Sequence, residues 1–102
     1  MEQLNPSGVV SEPRPAASVI LVRGGGEALE VLLVQRTHEA RFMAGAWVFP
    51  GGAVDEGEDA HDAAIRELHE EAGVAVADRD ALVAFSRWIT PPQVKRRFDT
   101  FF

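Results

Sequence analysis

One segment constrains the fold of this chain more than any other: positions 58–72 predict an amphipathic helix. Its apolar side chains share one arc of a helix that advances about 100° per residue. They are Ala64, Ile65, Leu68 and Ala72. Glu58 and Asp59 place negative charge at the N-terminal end, and Gly73 suits the left-handed residue that closes a helix. Because the apolar stripe must dock on another layer, the segment predicts an α/β domain.

A second stripe on the same helix is acidic. Glu67, Glu70 and Glu71 stand at i, i+3 and i+4, so they share an arc of roughly 100°. Like charges at this spacing destabilise a helix, whereas a cation bound between them would make the arrangement favourable. Carboxylate oxygens suit hard ions, so we expect Mg²⁺ first and Mn²⁺ second. The alternative is an ordinary solvated, glutamate-rich helix face.

The run from Gly52 to Val74 reads GAVDEGEDAHDAAIRELHEEAGV, which has the form G-x5-E-x7-R-E-apolar-x-E-E-x-G-apolar. This segment resembles the Nudix box. The resemblance implies an α/β/α sandwich with a mixed sheet, and a metal-dependent cleavage of a diphosphate linkage. The residues implied to be catalytic are Glu58, Arg66, Glu67, Glu70 and Glu71. The implied metal ligands are Glu67, Glu70, Glu71 and the carbonyl of Gly52.

The family pattern also implies an ion pair between Glu58 and Arg66, in which Arg66 orients the carboxylates and Glu58 fixes Arg66. The alternative for Arg66 is a surface pair with Asp62, one helical turn away. The attacking water would be activated by one of the box glutamates or by a carboxylate outside this chain. The residues alone do not decide between these bases.

Upstream, positions 32–52 read LLVQRTHEARFMAGAWVFPGG, which resembles the element L-L-T-x-R-[S/A]-x3-R-x3-G-x3-F-P-G-G of coenzyme A diphosphatases. Val34 and Thr37 depart from that element. The resemblance implies cleavage of coenzyme A or acyl-CoA to 3′,5′-ADP and (acyl-)4′-phosphopantetheine. The implied substrate-binding residues are Arg36, Arg41, Gly45, Phe49 and Gly51. Arginine recognises phosphate through charge-assisted bonds, which fits Arg36 and Arg41.

Two other functions stay open. The first is a Nudix pyrophosphatase for ADP-ribose, dinucleotides or nucleoside triphosphates, including oxidised ones. The second is a non-catalytic module that senses nucleotides. A pyrophosphatase for these nucleotides would have the same Nudix box. Only the upstream element favours coenzyme A over ADP-ribose, dinucleotides and nucleoside triphosphates. The complete set of box carboxylates favours catalysis over sensing.

The coarse pattern predicts strands near 17–23, 29–36 and 46–49, a helix over about 58–72, and further strands near 82–89 and 97–102. We expect a hairpin turn at Gly24–Gly26 and a sharp turn after Pro50. Residues 1–15 predict a flexible leader and 16–102 one Nudix domain, which we expect to be incomplete at its C-terminal end. Trp47 and Trp88 are interpreted as core residues, with stacking on an adenine as the alternative.

The composition of the chain limits the kinds of binding partner that we expect. The chain is 46% hydrophobic with a net charge of −6 and no cysteine. The acidic balance argues against a nucleic-acid partner, and no apolar run is long enough to cross a membrane. We therefore expect a small-molecule nucleotide diphosphate substrate and no membrane partner, with a homodimer left open. The absence of cysteine fits a cytoplasmic location.

Overall fold

The computed structural model describes residues 10–40, 43–94 and 96–102. This part of the chain holds eight short strands and one α-helix. In chain order they are β1 (Arg14–Ser18), β2 (Val22–Arg23), β3 (Glu30–Val31), β4 (Val34–Gln35), β5 (Trp47–Val48), β6 (Gly51–Ala53), α1 (Ala60–Ala72), β7 (Arg87–Ile89) and β8 (Phe98–Phe101). Single 3-10 turns lie at Gly26–Ala28 and Arg79–Ala81.

The strands form one larger sheet and two ribbons. The sheet has four strands in the order β6-β1-β8-β7, and the pairs β2-β3 and β4-β5 form two-stranded ribbons. β1 runs antiparallel to β6 and parallel to β8, and β7 runs antiparallel to β8. The sheet is therefore mixed, as expected for the α/β class.

The core lies between α1 and the centre of this sheet. Leu68 and Ala63 of the helix are fully buried, and Ala17 of β1 and Val19 just after β1 are buried against them. The predicted apolar stripe is therefore confirmed at Ala64 and Leu68, whereas Ile65 and Ala72 are only half-buried. One helix packs on the sheet within the described residues, so the second helix layer of the expected sandwich is not seen there.

The predicted strands 17–23 and 29–36 are each divided in two. The reason is a change of partner: the Val19 N–H donates to the Pro50 carbonyl at 2.8 Å, while the Leu21 carbonyl accepts from Leu32 at 3.0 Å. The chain thus leaves the four-stranded sheet for the β2-β3 ribbon. The predicted turn at 24–26 is confirmed by the Gly26–Ala28 turn between β2 and β3.

Other expectations need correction. Trp47 and Trp88 are 63% and 69% exposed, so the core interpretation of both was wrong. β1 begins at Arg14, inside the segment expected to be a leader. Residues 1–9 lie outside the described part, so the leader and the domain boundary stay predictions. No helix among the described residues has the length and apolarity needed to cross a bilayer.

Candidate functional site

The site is organised by the two ends of α1. At the N-terminal end, the Asp59 carboxylate accepts from the Asp62 N–H at 2.8 Å, which is the hydrogen bond of an N-cap. At the C-terminal end, Gly73 has φ of 69° and its N–H donates to His69 at 2.9 Å. The helix therefore begins two residues later than predicted, and Glu58 lies in the preceding loop.

Arg66 lies at the centre of the site. Its Nη2 contacts Glu58 Oε1 at 2.7 Å, and its Nε donates to Glu58 Oε2 at 3.2 Å. Nη2 also donates to the Ala53 carbonyl at 3.0 Å and lies 3.3 Å from Asp55 Oδ2. The bonds to Glu58 and then to Glu67 raise the pKa of Arg66, and the bonds from Arg66 and from the Asp55 N–H lower the pKa of Glu58. The implied pair of Glu58 and Arg66 is thus present.

Two of the box carboxylates share the same guanidinium nitrogen. Arg66 Nη1 donates to Glu67 Oε1 at 2.8 Å and to Glu70 Oε2 at 3.3 Å. The Glu67 side chain is only 15% exposed, whereas that of Glu70 is 55% exposed. The alternative pair of Asp62 with Arg66 is not formed among the described contacts, because Asp62 pairs with Arg79.

The two glycines of the box entrance are strand residues. Gly51 and Gly52 lie in β6 opposite Ser18 and Ala17, so the predicted change of direction occurs as a bend at Pro50 and the two glycines are extended. A Cβ added to Gly52 would lie 2.7 Å from the Glu67 carboxylate, and one added to Gly51 would lie 2.3 Å from the Ala17 carbonyl. Glycine is needed here because a neighbouring strand and a carboxylate approach the backbone closely.

Glu71 has a different environment from the other two glutamates. Its Oε2 accepts from the Gly51 N–H at 3.0 Å. Burial of the carboxylate raises the pKa of Glu71, the Gly51 hydrogen bond opposes that shift, and the charge of Arg36 also opposes it. Arg36 thus lies near enough to the Glu71 carboxylate for its charge to act on it, and the Arg36 main-chain N–H donates to the Ala46 carbonyl at 2.8 Å.

The remaining predicted substrate-binding residues have local contacts of their own. Gly45 has φ of 75°, and its carbonyl accepts from Gln35 Nε2 at 3.1 Å. Phe49 packs edge-on against Phe102 with ring centroids 6.3 Å apart, which is a packing contact. Arg41 lies outside the described residues. The substrate-binding roles of all these residues stay predictions.

The donor chemistry of the site fits a hard divalent cation. Glu67 and Glu70 both bond the Arg66 guanidinium, and Glu71 lies one helical turn after Glu67. The Glu67 carboxylate also lies against the α-carbon of Gly52, which carries no side chain. Carboxylate and main-chain oxygens are the ligands that Mg²⁺ and Mn²⁺ prefer. Among the described residues, however, no three acidic or histidine side chains already converge on one point. The ligand set of Glu67, Glu70, Glu71 and Gly52 therefore stays a prediction.

Two features of the site were missed by sequence reasoning. The Ala53 carbonyl and Asp55 add to the bonds on Arg66, although only Glu58 was expected there. Asp55 lies inside the box sequence, so its acidity was a visible signal, but a carbonyl acceptor leaves no sequence signal. Both contacts help to fix the guanidinium in one orientation.

An apolar cavity of about 540 Å³ lies at the N-terminal half of α1. Val19 and Leu21, Ala60 and Ala64, and Phe85 and Phe102 form parts of its wall. None of the predicted catalytic, metal-binding or substrate-binding residues within the described part of the chain lines it. The cavity and the glutamate site are therefore separate features of the same layer.

Comparison with known proteins gives consistent matches. The NUDIX domain pattern matches residues 12–102. Nudix hydrolase 2 of Arabidopsis thaliana is 49% identical over 57 residues, which are 55% of this chain and 20% of that protein. An RNA pyrophosphohydrolase of Helicobacter pylori (strain P12) is 34% identical over 88 residues, which are 83% of this chain and 53% of that protein. The chain thus spans between a fifth and about half of the length of these two relatives.

Solved structures agree with the sequence matches. A MutT/nudix family protein from Enterococcus faecalis superposes with a TM-score of 0.72 at 26% identity, covering 97% of this chain and 38% of that one. The C. elegans Ap4A hydrolase superposes with a TM-score of 0.61 at 25% identity, covering 88% and 66%. The mixed sheet, the helix with its arginine-linked carboxylates and the domain match lead to one conclusion: the chain belongs to the NUDIX family.

Proposed function

We propose that this chain carries the active site of a Mg²⁺- or Mn²⁺-dependent hydrolase that cleaves a diphosphate linkage in a nucleotide derivative. One observation carries the proposal: Arg66 holds Glu67 and Glu70 together while Glu58 and the Ala53 carbonyl hold Arg66. Arg66 supplies one positive charge against the three carboxylates of Glu58, Glu67 and Glu70, so the cluster stays net negative, which favours a further cation.

Each residue of the site has a distinct role in this proposal. Glu67, Glu70, Glu71 and the Gly52 carbonyl would hold the metal. Arg66 positions the glutamates, and Glu58 positions Arg66, so that neither needs to contact the substrate. Arg36, whose charge already acts on Glu71, would bind a phosphate oxygen of the substrate.

Hydrolysis of a diphosphate adds one water across the P–O–P bridge. The water oxygen forms a bond to one phosphorus, the bridging oxygen departs with the other phosphate, and the water gives up a proton. A bound divalent metal supplies charge neutralisation on the phosphate oxygens. The Glu67, Glu70 and Glu71 carboxylates are the described groups at the site that can accept the proton.

For the substrate, we propose coenzyme A or acyl-CoA first. The support is the upstream element, in which Arg36, Gly45 and Phe49 hold the expected spacing. The names of similar proteins favour a second candidate, a nucleoside polyphosphate such as a dinucleotide or a 5′-triphosphorylated RNA end. The net charge of −6 argues against contact with a long RNA beyond its 5′ end.

The test is product release from coenzyme A, Ap4A, ADP-ribose, a nucleoside triphosphate and a short 5′-triphosphorylated RNA, with Mg²⁺ or Mn²⁺. We expect the highest kcat/KM with coenzyme A and no turnover with EDTA. Glu70→Gln should lower kcat by about 100-fold, the order found when one group that stabilises transition-state charge is removed.

The matched control is Glu56→Gln, which makes the same change in the exposed loop before Glu58. This variant should keep wild-type turnover. A higher kcat/KM with Ap4A or with RNA would reject coenzyme A and keep the hydrolase. Metal-independent turnover, or equal effects of the two variants, would contradict the proposed site.

A further inference from the structure

A second arginine bridges two carboxylates at the start of α1. Arg79, in the 3-10 turn Arg79–Ala81, places Nη2 2.6 Å from Asp59 Oδ2 and bonds Asp62 through Nη1. Asp59 is the N-cap of α1, and its other oxygen accepts from the Asp62 N–H. Arg79 therefore ties the chain that follows the helix to the first turn of that helix.

This contact lies next to the loop that holds Arg66. Glu58 immediately precedes Asp59, and its N–H donates to the Asp55 carbonyl at 3.2 Å. In return, the Asp55 N–H donates to Glu58 Oε1 at 2.8 Å. The loop 55–59 is thus a closed turn whose C-terminal residue is fixed by Arg79 and whose Glu58 side chain receives Arg66.

We infer that Arg79 is a positioning residue for the glutamate site: by fixing Asp59 and Asp62 it holds the 55–59 loop, and through Glu58 and Arg66 it orients Glu67 and Glu70. The inference rests on the proposed metal-dependent function. The path runs through Asp59, Glu58 and Arg66, each joined to the next by a peptide bond or by a hydrogen bond of 2.7 Å.

The charges around Arg79 affect the orientation of the neighbouring loop more than the stability of the whole fold. Without Arg79, the carboxylates of Asp59 and Asp62 lose the cation between them and stand at repelling i, i+3 spacing. The three side chains are about half exposed, and exposed ion pairs contribute little to folding stability. We therefore expect a change in the orientation of the Arg66 network, with a small change in the stability of the fold.

The experiment compares Arg79→Gln with Arg87→Gln. Arg87 forms a comparable arginine-aspartate pair with Asp99 between β7 and β8, away from the path to Arg66. Two quantities are measured: hydrogen exchange of the Arg66 Nε–H by NMR without metal, and the Kd of Mn²⁺ by electron paramagnetic resonance. Neither depends on turnover, so failure of the proposed hydrolase would be seen separately in the substrate assay.

In Arg79→Gln we expect faster exchange of the Arg66 Nε–H and a Kd for Mn²⁺ raised about threefold to tenfold. This loss of affinity is somewhat smaller than the one expected when a residue that hydrogen-bonds directly to a metal-binding side chain is removed. Arg79→Lys should fall between this variant and the wild type, and Arg87→Gln should match the wild type. Equal exchange and equal Mn²⁺ affinity in Arg79→Gln and Arg87→Gln would overturn the positioning role.

Discussion

At the scale of residues, the glutamates of α1 are not equivalent. Around the helix axis, a residue four positions further along is rotated by about 40°. Seen along that axis, the Glu67 side chain therefore projects between the directions of the buried residues Ala63 and Ala64. Glu67 therefore points into the packed face, where the bare α-carbon of Gly52 leaves it room. The sequence predicted that Glu67, Glu70 and Glu71 share one arc of the helix, but the direction of Glu67 depends on the strand that covers it.

Gly52→Ala tests this packing. The added methyl would meet the Glu67 carboxylate at 2.7 Å and displace this flexible side chain, so we expect weaker Mn²⁺ binding and a loss of only about 1 kcal/mol or less in the free energy of unfolding. Urea denaturation and Mn²⁺ titration measure the two effects.

The control is Gly25→Ala, because Gly25 has extended backbone and nothing within 4 Å of an added Cβ. Its unfolding free energy should stay within about 0.5 kcal/mol of the wild type. Equal stability and Mn²⁺ affinity in both variants would show that the Gly52 contact is not required.

At the scale of elements, the helix and the strands β5 and β8 were predicted close to their observed bounds, whereas the divided strands, β6 and the start of β7 were not. Capping by Asp59 and closure by Gly73 are local, so the sequence predicted α1 to within two residues. After Ser18 the chain stops pairing with β6 and begins to pair with β3. That change depends on segments that are distant from β1 in the sequence. β6 was missed because glycine is unfavourable in strands, and only the close approach of β1 explains two of them there.

The pair between Arg87 and Asp99 links β7 to β8, and it predicts a pH dependence of stability. The Arg87 guanidinium lowers the pKa of Asp99 below its ordinary value of 3.8. Since the folded pKa is depressed, the stabilisation is fully present above 3.8 and is lost as the pH falls through the folded pKa.

Urea midpoints of the wild type and Asp99→Asn, from neutral pH down to about pH 2.5, check this expectation. The wild type should be more stable at neutral pH, and the two midpoints should approach each other below pH 3.8. All other carboxylates titrate in both proteins, so their difference isolates Asp99. A difference that stays constant over the whole range would contradict the prediction.

At the scale of the whole molecule, apolar side chains extend from the core to the surface on one side. Val83 and Phe85 are 81% and 78% exposed, and both lie at the apolar cavity. The sequence predicted the fold class, because the mixed strands and the amphipathic helix are local patterns, while the metal-dependent chemistry stays a prediction. It did not predict this exposure, since a strand-like apolar run looks the same whether or not another layer covers it.

Phe85→Lys should lower the fluorescence of a bound apolar dye, because dyes of this kind bind contiguous apolar surface. Leu29→Lys makes the same charge change at a 54% exposed residue that does not line the cavity. We expect a clearly smaller fall for Leu29→Lys and little change in the stability of either variant. An equal fall in both would show that the dye responds to net charge alone.

The parallel pairing of β1 with β8 determines when the domain can form during synthesis. Arg14 pairs with Phe98, a separation of 98 − 14 = 84 positions, and these two strands form the middle of the sheet. The β2-β3 ribbon pairs neighbouring segments, and α1 can pack on β1 and β6, which precede it, but β1 cannot pair with β8 until Phe98–Phe101 has left the ribosome. Contacts this distant along the chain slow folding. A nascent chain stalled before Phe98 would therefore hold a formed helix beside an open core.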